Sequence, residues 1–113
     1  MTLQAPHLYL AGAIVLEVIG TAFLKQSNGF RETVPSVITA ASYAGAFYLL
    51  SLTLKTMPVG TVYAIWSGVG IVLIALVGWI AFRQTLDAPA LIGMALIVAG
   101  VVVINTMSRS TAH

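Results

Sequence analysis

One side chain in this sequence sits where its charge is most expensive. Glu17 lies midway along the apolar run between Leu8 and Lys25. An ionised acid at such a depth in a membrane helix costs on the order of several kcal/mol on insertion scales. No lysine or arginine falls inside any of the chain's long apolar runs to offset it. Apolar surroundings disfavour the charged form of a carboxyl, and a second carboxylate from another copy makes joint ionisation harder still. The expected chemistry is therefore exchange. Protonated, the group is neutral and tolerates oil; deprotonated, it is a buried anion, so a proton and a cation compete for one site.

Residue types around that acid fit an organic cation. On a helix, Glu17 shares its face with Leu10, Ala13, Ile14, Gly20, Thr21 and Leu24 at spacings of three, four and seven. Ala13, Gly20 and Thr21 are small, so they either admit a neighbouring helix or leave space beside the acid; Thr21 can also bond within its own helix. Further along, Tyr63, Trp66 and Gly70 recur on one helical face, and Tyr43 and Phe47 stand one turn apart. An aromatic face near a buried anion attracts cations through its ring quadrupoles and supplies apolar contact. Taken singly, such rings are more often packing or interface anchors; with Glu17 they read as a binding site. Gly68 and Gly70 fall in mid-helix, where glycine permits bending or close packing. Gly93 and Gly100, seven apart, leave a smooth strip for a helix–helix contact.

The elements that must carry these groups follow from composition. Hydrophobic residues make up 59% of the 113, charged residues only 7%, and the mean hydropathy is +1.02. A soluble domain of this size carries roughly a quarter charged residues. Lipid has to be the solvent. Apolar runs bounded by charges and turn residues predict an all-α, polytopic membrane protein: one domain over 1–113 with helices at about 8–24, 34–54, 59–82 and 88–107. Asn28-Gly29 marks the first turn, Pro35, Pro58 and Pro89 sit near helix starts, and Asp87 suits the positive end of the fourth helix. A cleaved signal peptide would need a basic leading segment, which is lacking, and Glu17 would interrupt its apolar stretch.

Charge excludes other classes. The five basic residues are scattered, so there is no footprint for nucleic acid. With no cysteine there is no thiolate metal site, and no metal, cofactor or enzymatic activity is expected; the coupling ion is the proton. Four crossings place Lys55 and Arg109 on one side and Lys25, Arg31 and Arg83 on the other. That near balance predicts insertion in both orientations and pairing with an inverted copy.

At this point the sequence resembles a known family, the small multidrug resistance transporters, in their quaternary-ammonium subtype. The likeness covers essentially the whole chain. It rests on Leu16-Glu17-Val18-Ile19-Gly20-Thr21, on Tyr63-Ala64-Ile65-Trp66-Ser67-Gly68-Val69-Gly70, on the Gly93/Gly100 pair and on the tail Ser108-Arg109-Ser110-Thr111. The resemblance implies an antiparallel homodimer in a bacterial inner membrane, exporting hydrophobic cations against protons. It further implies that Glu17 binds both ligands and that Tyr43, Tyr63 and Trp66 line the site. Gly68 and Gly70 would lie where the third helix flexes, and Gly93 and Gly100 would hold the dimer. Two positions depart from the pattern: His7 stands for a tyrosine and Ala46 for a serine. The guanidinium-exporting subtype resembles tryptophan at the place of Gly20 and uses that serine, which makes guanidinium or a polyamine the secondary reading. A proton-translocating rotor subunit also carries a mid-membrane acid, but in the second of two helices, and it leaves the aromatic face unexplained; in a membrane assembly factor Glu17→Gln should leave function largely intact.

Overall fold

The protein is described here by a computed structural model covering residues 5–107. Within them the chain forms four helices, α1 Ala5–Gln26, α2 Thr33–Thr53, α3 Val59–Ala81 and α4 Ala88–Met107, each long and apolar enough to cross a membrane. The tail Ser108-Arg109-Ser110-Thr111 lies outside the described residues. α1 starts ahead of the apolar run, at Ala5, and ends past it, at Gln26. The contacts divide the chain into two compact units, residues 1–55 and 56–113, each built on a helical hairpin.

In the first unit, large and small side chains alternate along the i, i+4 ridge of α1 and meet their opposites on α2. A Cβ on Gly12 would stand 3.0 Å from Leu49, and one on Gly45 would stand 3.0 Å from Leu16. Gly20 sits against Tyr43 in the same antiparallel order. With no hydrophobic effect between helices in lipid, such close approach supplies the packing that holds them. A polar tie also joins the pair at the backbone: the buried Thr39 hydroxyl donates to the Gly20 carbonyl at 3.1 Å and shares its proton with Pro35 O at 2.9 Å.

The turn between α1 and α2 is built on Ser27, which is fully buried. Its hydroxyl donates to Leu24 O at 2.6 Å and accepts from Phe30 N at 3.1 Å, while its carbonyl takes the amides of Arg31 and Glu32. Asn28, Gly29 and Phe30 follow one another with φ of 51°, 70° and 65°. Asparagine and glycine enter that left-handed region readily; Phe30 is held there by its bond to Ser27.

In the second unit α3 packs tightly on α4 at Gly68, where a Cβ would meet Val101 Cγ2 at 2.7 Å. At the end of α3 the Gly78 carbonyl accepts from both Phe82 N at 3.2 Å and Gln84 N at 2.9 Å, with Arg83 at φ 55° in the left-handed position usually given to glycine. The Asp87 carboxylate accepts from Ala90 N at 3.1 Å and caps α4. An open apolar groove of about 570 Å³ runs beside Leu76, Trp79, Leu86 and Leu91. No residue of α4 is buried, so this helix presents apolar side chains along its whole length.

Candidate functional site

Glu17 lies in the interior of α1, half-buried, four residues from Thr21 and therefore one turn below it on the same face. Thr21 Oγ1 donates to Glu17 Oε1 at 3.3 Å. The same oxygen lies 2.7 Å from the Tyr43 hydroxyl across the hairpin. A threonine hydroxyl owns one proton. If that proton points to the carboxylate, the tyrosine has to donate to Thr21, and the three groups form a directed chain from Tyr43 through Thr21 to Glu17. The tyrosine reaches this far because position 20 has no side chain: a Cβ there would meet ring carbons Cδ1 and Cε1 at 2.7 Å.

The structure thus brings together Glu17, Gly20, Thr21 and Tyr43. Thr21 bonds within its own helix, to Glu17, and is also in hydrogen-bond contact with Tyr43 of α2, a partner that the sequence did not point to. Leu10, Ala13 and Ile14 are buried side chains of α1, and Phe47 on α2 is 59% exposed. Ala46, one turn from Ser42, is also buried; the hydroxyl a serine would add is missing there. Near the start of α1, His7 Nδ1 is buried without a hydrogen-bond partner.

Tyr63 and Trp66 belong to the second unit and form an aromatic pair of their own. Their ring centroids are 6.0 Å apart with planes inclined by 26°, a stacked pair at helical spacing i, i+3. Tyr63 is 65% exposed, so the pair offers an open aromatic face. A cation over such a face gains roughly 0.5–2 kcal/mol, the larger figure where water is excluded. Gly68 serves close packing against Val101, whereas a Cβ on Gly70 would make only ordinary contact with Trp66 at 3.5 Å. Nothing lies within 4 Å of a Cβ placed on Gly93 or Gly100. Among the described residues no cluster of three His, Cys, Asp or Glu side chains could hold a metal ion.

Thr39 was not a candidate from sequence. Its bond to the Gly20 carbonyl fixes the hairpin at the level of the carboxyl, and a lone threonine in an apolar run carries no signal of that role. The register of α1 against α2 is what exposes it.

Known proteins match this sequence over nearly its whole length. The family model described as Small Multidrug Resistance protein matches residues 5–97. The chain is 57% identical over 108 residues to the multidrug transporter EmrE of Escherichia coli strain K12, covering 96% of this chain and 98% of that one. It is 54% identical over 106 residues to the quaternary ammonium compound-resistance protein QacF of Klebsiella aerogenes, covering 94% and 96%. A third relative, the quaternary ammonium compound-resistance protein QacE of Escherichia coli, is 51% identical over 106 residues with the same coverage.

Proposed function

The chain belongs to the small multidrug resistance family, and on that premise we propose that it is a proton-coupled antiporter exporting hydrophobic and quaternary ammonium cations across a bacterial inner membrane. The observation that carries this reading is Glu17, an acid in the interior of a membrane-length helix and a hydrogen-bond acceptor from Thr21. The relatives' names supply the substrate class: one is a multidrug transporter and two confer resistance to quaternary ammonium compounds. A carboxylate attracts a cation, a neutral carboxyl does not, and loading a proton therefore releases the guest. Binding one ligand at the expense of the other is the condition for exchange.

Gly20 favours bulky organic cations over guanidinium. Its missing side chain is what admits the Tyr43 ring to the carboxyl's neighbourhood, and a large residue there would displace the ring. The Tyr63–Trp66 pair adds the sequence-tolerant attraction that diverse aromatic cations need. The functional unit in this reading is an antiparallel homodimer, supported by the near-balanced loop charges and by the uncovered glycine strip of α4 at Gly93 and Gly100.

Reconstituted protein tests the proposal. A proton gradient should drive accumulation of a quaternary ammonium ion in vesicles, and Glu17→Gln should insert normally yet lose the gradient-driven flux. Persistent exchange in that variant would reject Glu17 as the shared site.

A further inference from the structure

We propose that Thr21 converts the proton state of Glu17 into the direction of the Tyr43 hydroxyl, giving the cation site a second, uncharged reader of protonation. The inference rests on the antiport reading and deepens it. Three oxygens lie in series, with 2.7 Å between Tyr43 and Thr21 and 3.3 Å between Thr21 and Glu17. Each hydroxyl has one proton to give.

With Glu17 ionised, the carboxylate only accepts. Thr21 donates to it and so accepts from Tyr43, whose O–H points at Thr21. The phenol's remaining in-plane direction is then a lone pair, which attracts a cation. With Glu17 protonated, the carboxyl donates to Thr21, and Thr21 turns its proton onto the tyrosine oxygen. The Tyr43 proton has to swing to the opposite side, where it repels a cation. No proton travels along the chain: Thr21 and Tyr43 each keep their own and rotate about a C–O bond, while the proton on Glu17 enters and leaves as it does in the antiport itself.

The surroundings restrict the response to those hydrogens. Gly20 admits the Tyr43 ring at contact distance, and the Thr39 bond to Gly20 O ties α2 to α1 at the same level. A ring so seated reorients its hydroxyl without moving its carbon frame, and Tyr43 is only half-buried, so part of the residue remains accessible to a guest. Of the titratable and charged groups on the two packed helices, α2 brings Tyr43 to this level, with Tyr48 further along on its exposed face. α1 brings Glu17, with His7 and Tyr9 toward its start and Lys25 at its end.

Thr21 is a positioning residue in this scheme, and its signature is a pH profile. The test titrates the full chain in detergent with tetraphenylphosphonium at a pH above and a pH below the carboxyl's titration. It compares wild type, Thr21→Val, Thr21→Ser, Tyr43→Phe and the Thr21→Val/Tyr43→Phe pair. In Thr21→Val the ratio of affinities at high and low pH should shrink by about three- to tenfold, the worth of one hydrogen bond, with competition at Glu17 retained. Thr21→Ser should restore the ratio. Tyr43→Phe should shrink it equally, and the pair should be no worse than either single variant. Multiplying effects in the pair, or an unchanged ratio in Tyr43→Phe, would overturn the relay whatever Thr21→Val does to folding. Those results would leave the antiport reading standing, whereas a wild-type affinity indifferent to pH would remove both.

Discussion

Gly20 and Tyr43 are in contact across the α1–α2 hairpin so closely that the smallest side chain at position 20 would stand 2.7 Å from two carbons of the tyrosine ring. Adding a methyl group there forces the ring away or the helices apart, an overpacking cost of about 1–3 kcal/mol. Because the ring carries the hydroxyl bound to Thr21, Gly20→Ala should weaken binding of a quaternary ammonium ion by about tenfold. Gly20→Trp should abolish it. Tritiated-ligand binding to purified protein reads both effects, and wild-type affinity in Gly20→Trp would mean that the ring's seat is unimportant.

A shared carboxyl has a defined pH signature. Cation binding needs the ionised form of Glu17, so affinity should be full above its titration and fall as the pH drops through it. The loss approaches about tenfold per pH unit for each carboxyl that has to give up its proton. Binding should also release protons into weakly buffered solution, measurable with a pH electrode. In Glu17→Gln both the slope and the release should vanish.

Much of this was readable in the sequence because lipid removes most alternatives. Long apolar runs broken by charge and proline leave helices as the spanning element, and one acid in such a run announces itself by its cost. The pairing of Thr21 with Tyr43 was not readable, since it depends on the rotational register of two helices, which a composition rule leaves free. The same register decides that Gly68 packs against Val101 and that Thr39 reaches the Gly20 carbonyl. Hydroxyls in apolar helices ordinarily bond back to their own turn, as Ser36, Thr53 and Thr106 do here, and nothing in the local sequence distinguishes Thr39 from them. The three left-handed residues after Ser27 were hidden for a related reason. Asn28-Gly29 signals a turn, but Phe30 adopts φ 65° only because Ser27 holds its amide.

Gly68 and Val101 form a tight contact in the α3–α4 hairpin. A Cβ on Gly68 would lie 2.7 Å from one valine methyl group and 3.3 Å from its Cβ, so the branch point has little room to yield. Gly68→Ala should destabilise the protein by about 1–3 kcal/mol, seen as a lower midpoint on unfolding in denaturing detergent. Trimming the partner should restore most of the loss, making Gly68→Ala/Val101→Ala more stable than Gly68→Ala alone. Simple addition of the two single effects would show that these residues do not meet.

Arg83 occupies the left-handed position that closes α3, with φ 55° and the Gln84 amide bonded back to Gly78 O at 2.9 Å. A residue with a Cβ is strained in that region by roughly 1–2 kcal/mol, and glycine is the usual occupant of such a cap. Glycine also has more freedom to lose on folding, which returns part of the gain. Arg83→Gly should therefore stabilise the helix end modestly, by about 0.5–1 kcal/mol. The substitution also removes one of the basic residues whose near balance underlies insertion in both orientations. Lysine at the same place separates the two effects: Arg83→Lys keeps charge and strain, whereas Arg83→Gly loses both. Unfolding midpoints should rise only for the glycine variant, and a cysteine-accessibility assay of loop orientation should shift for glycine and stay put for lysine. Equal midpoints in the two variants would show that the backbone at Arg83 carries no strain.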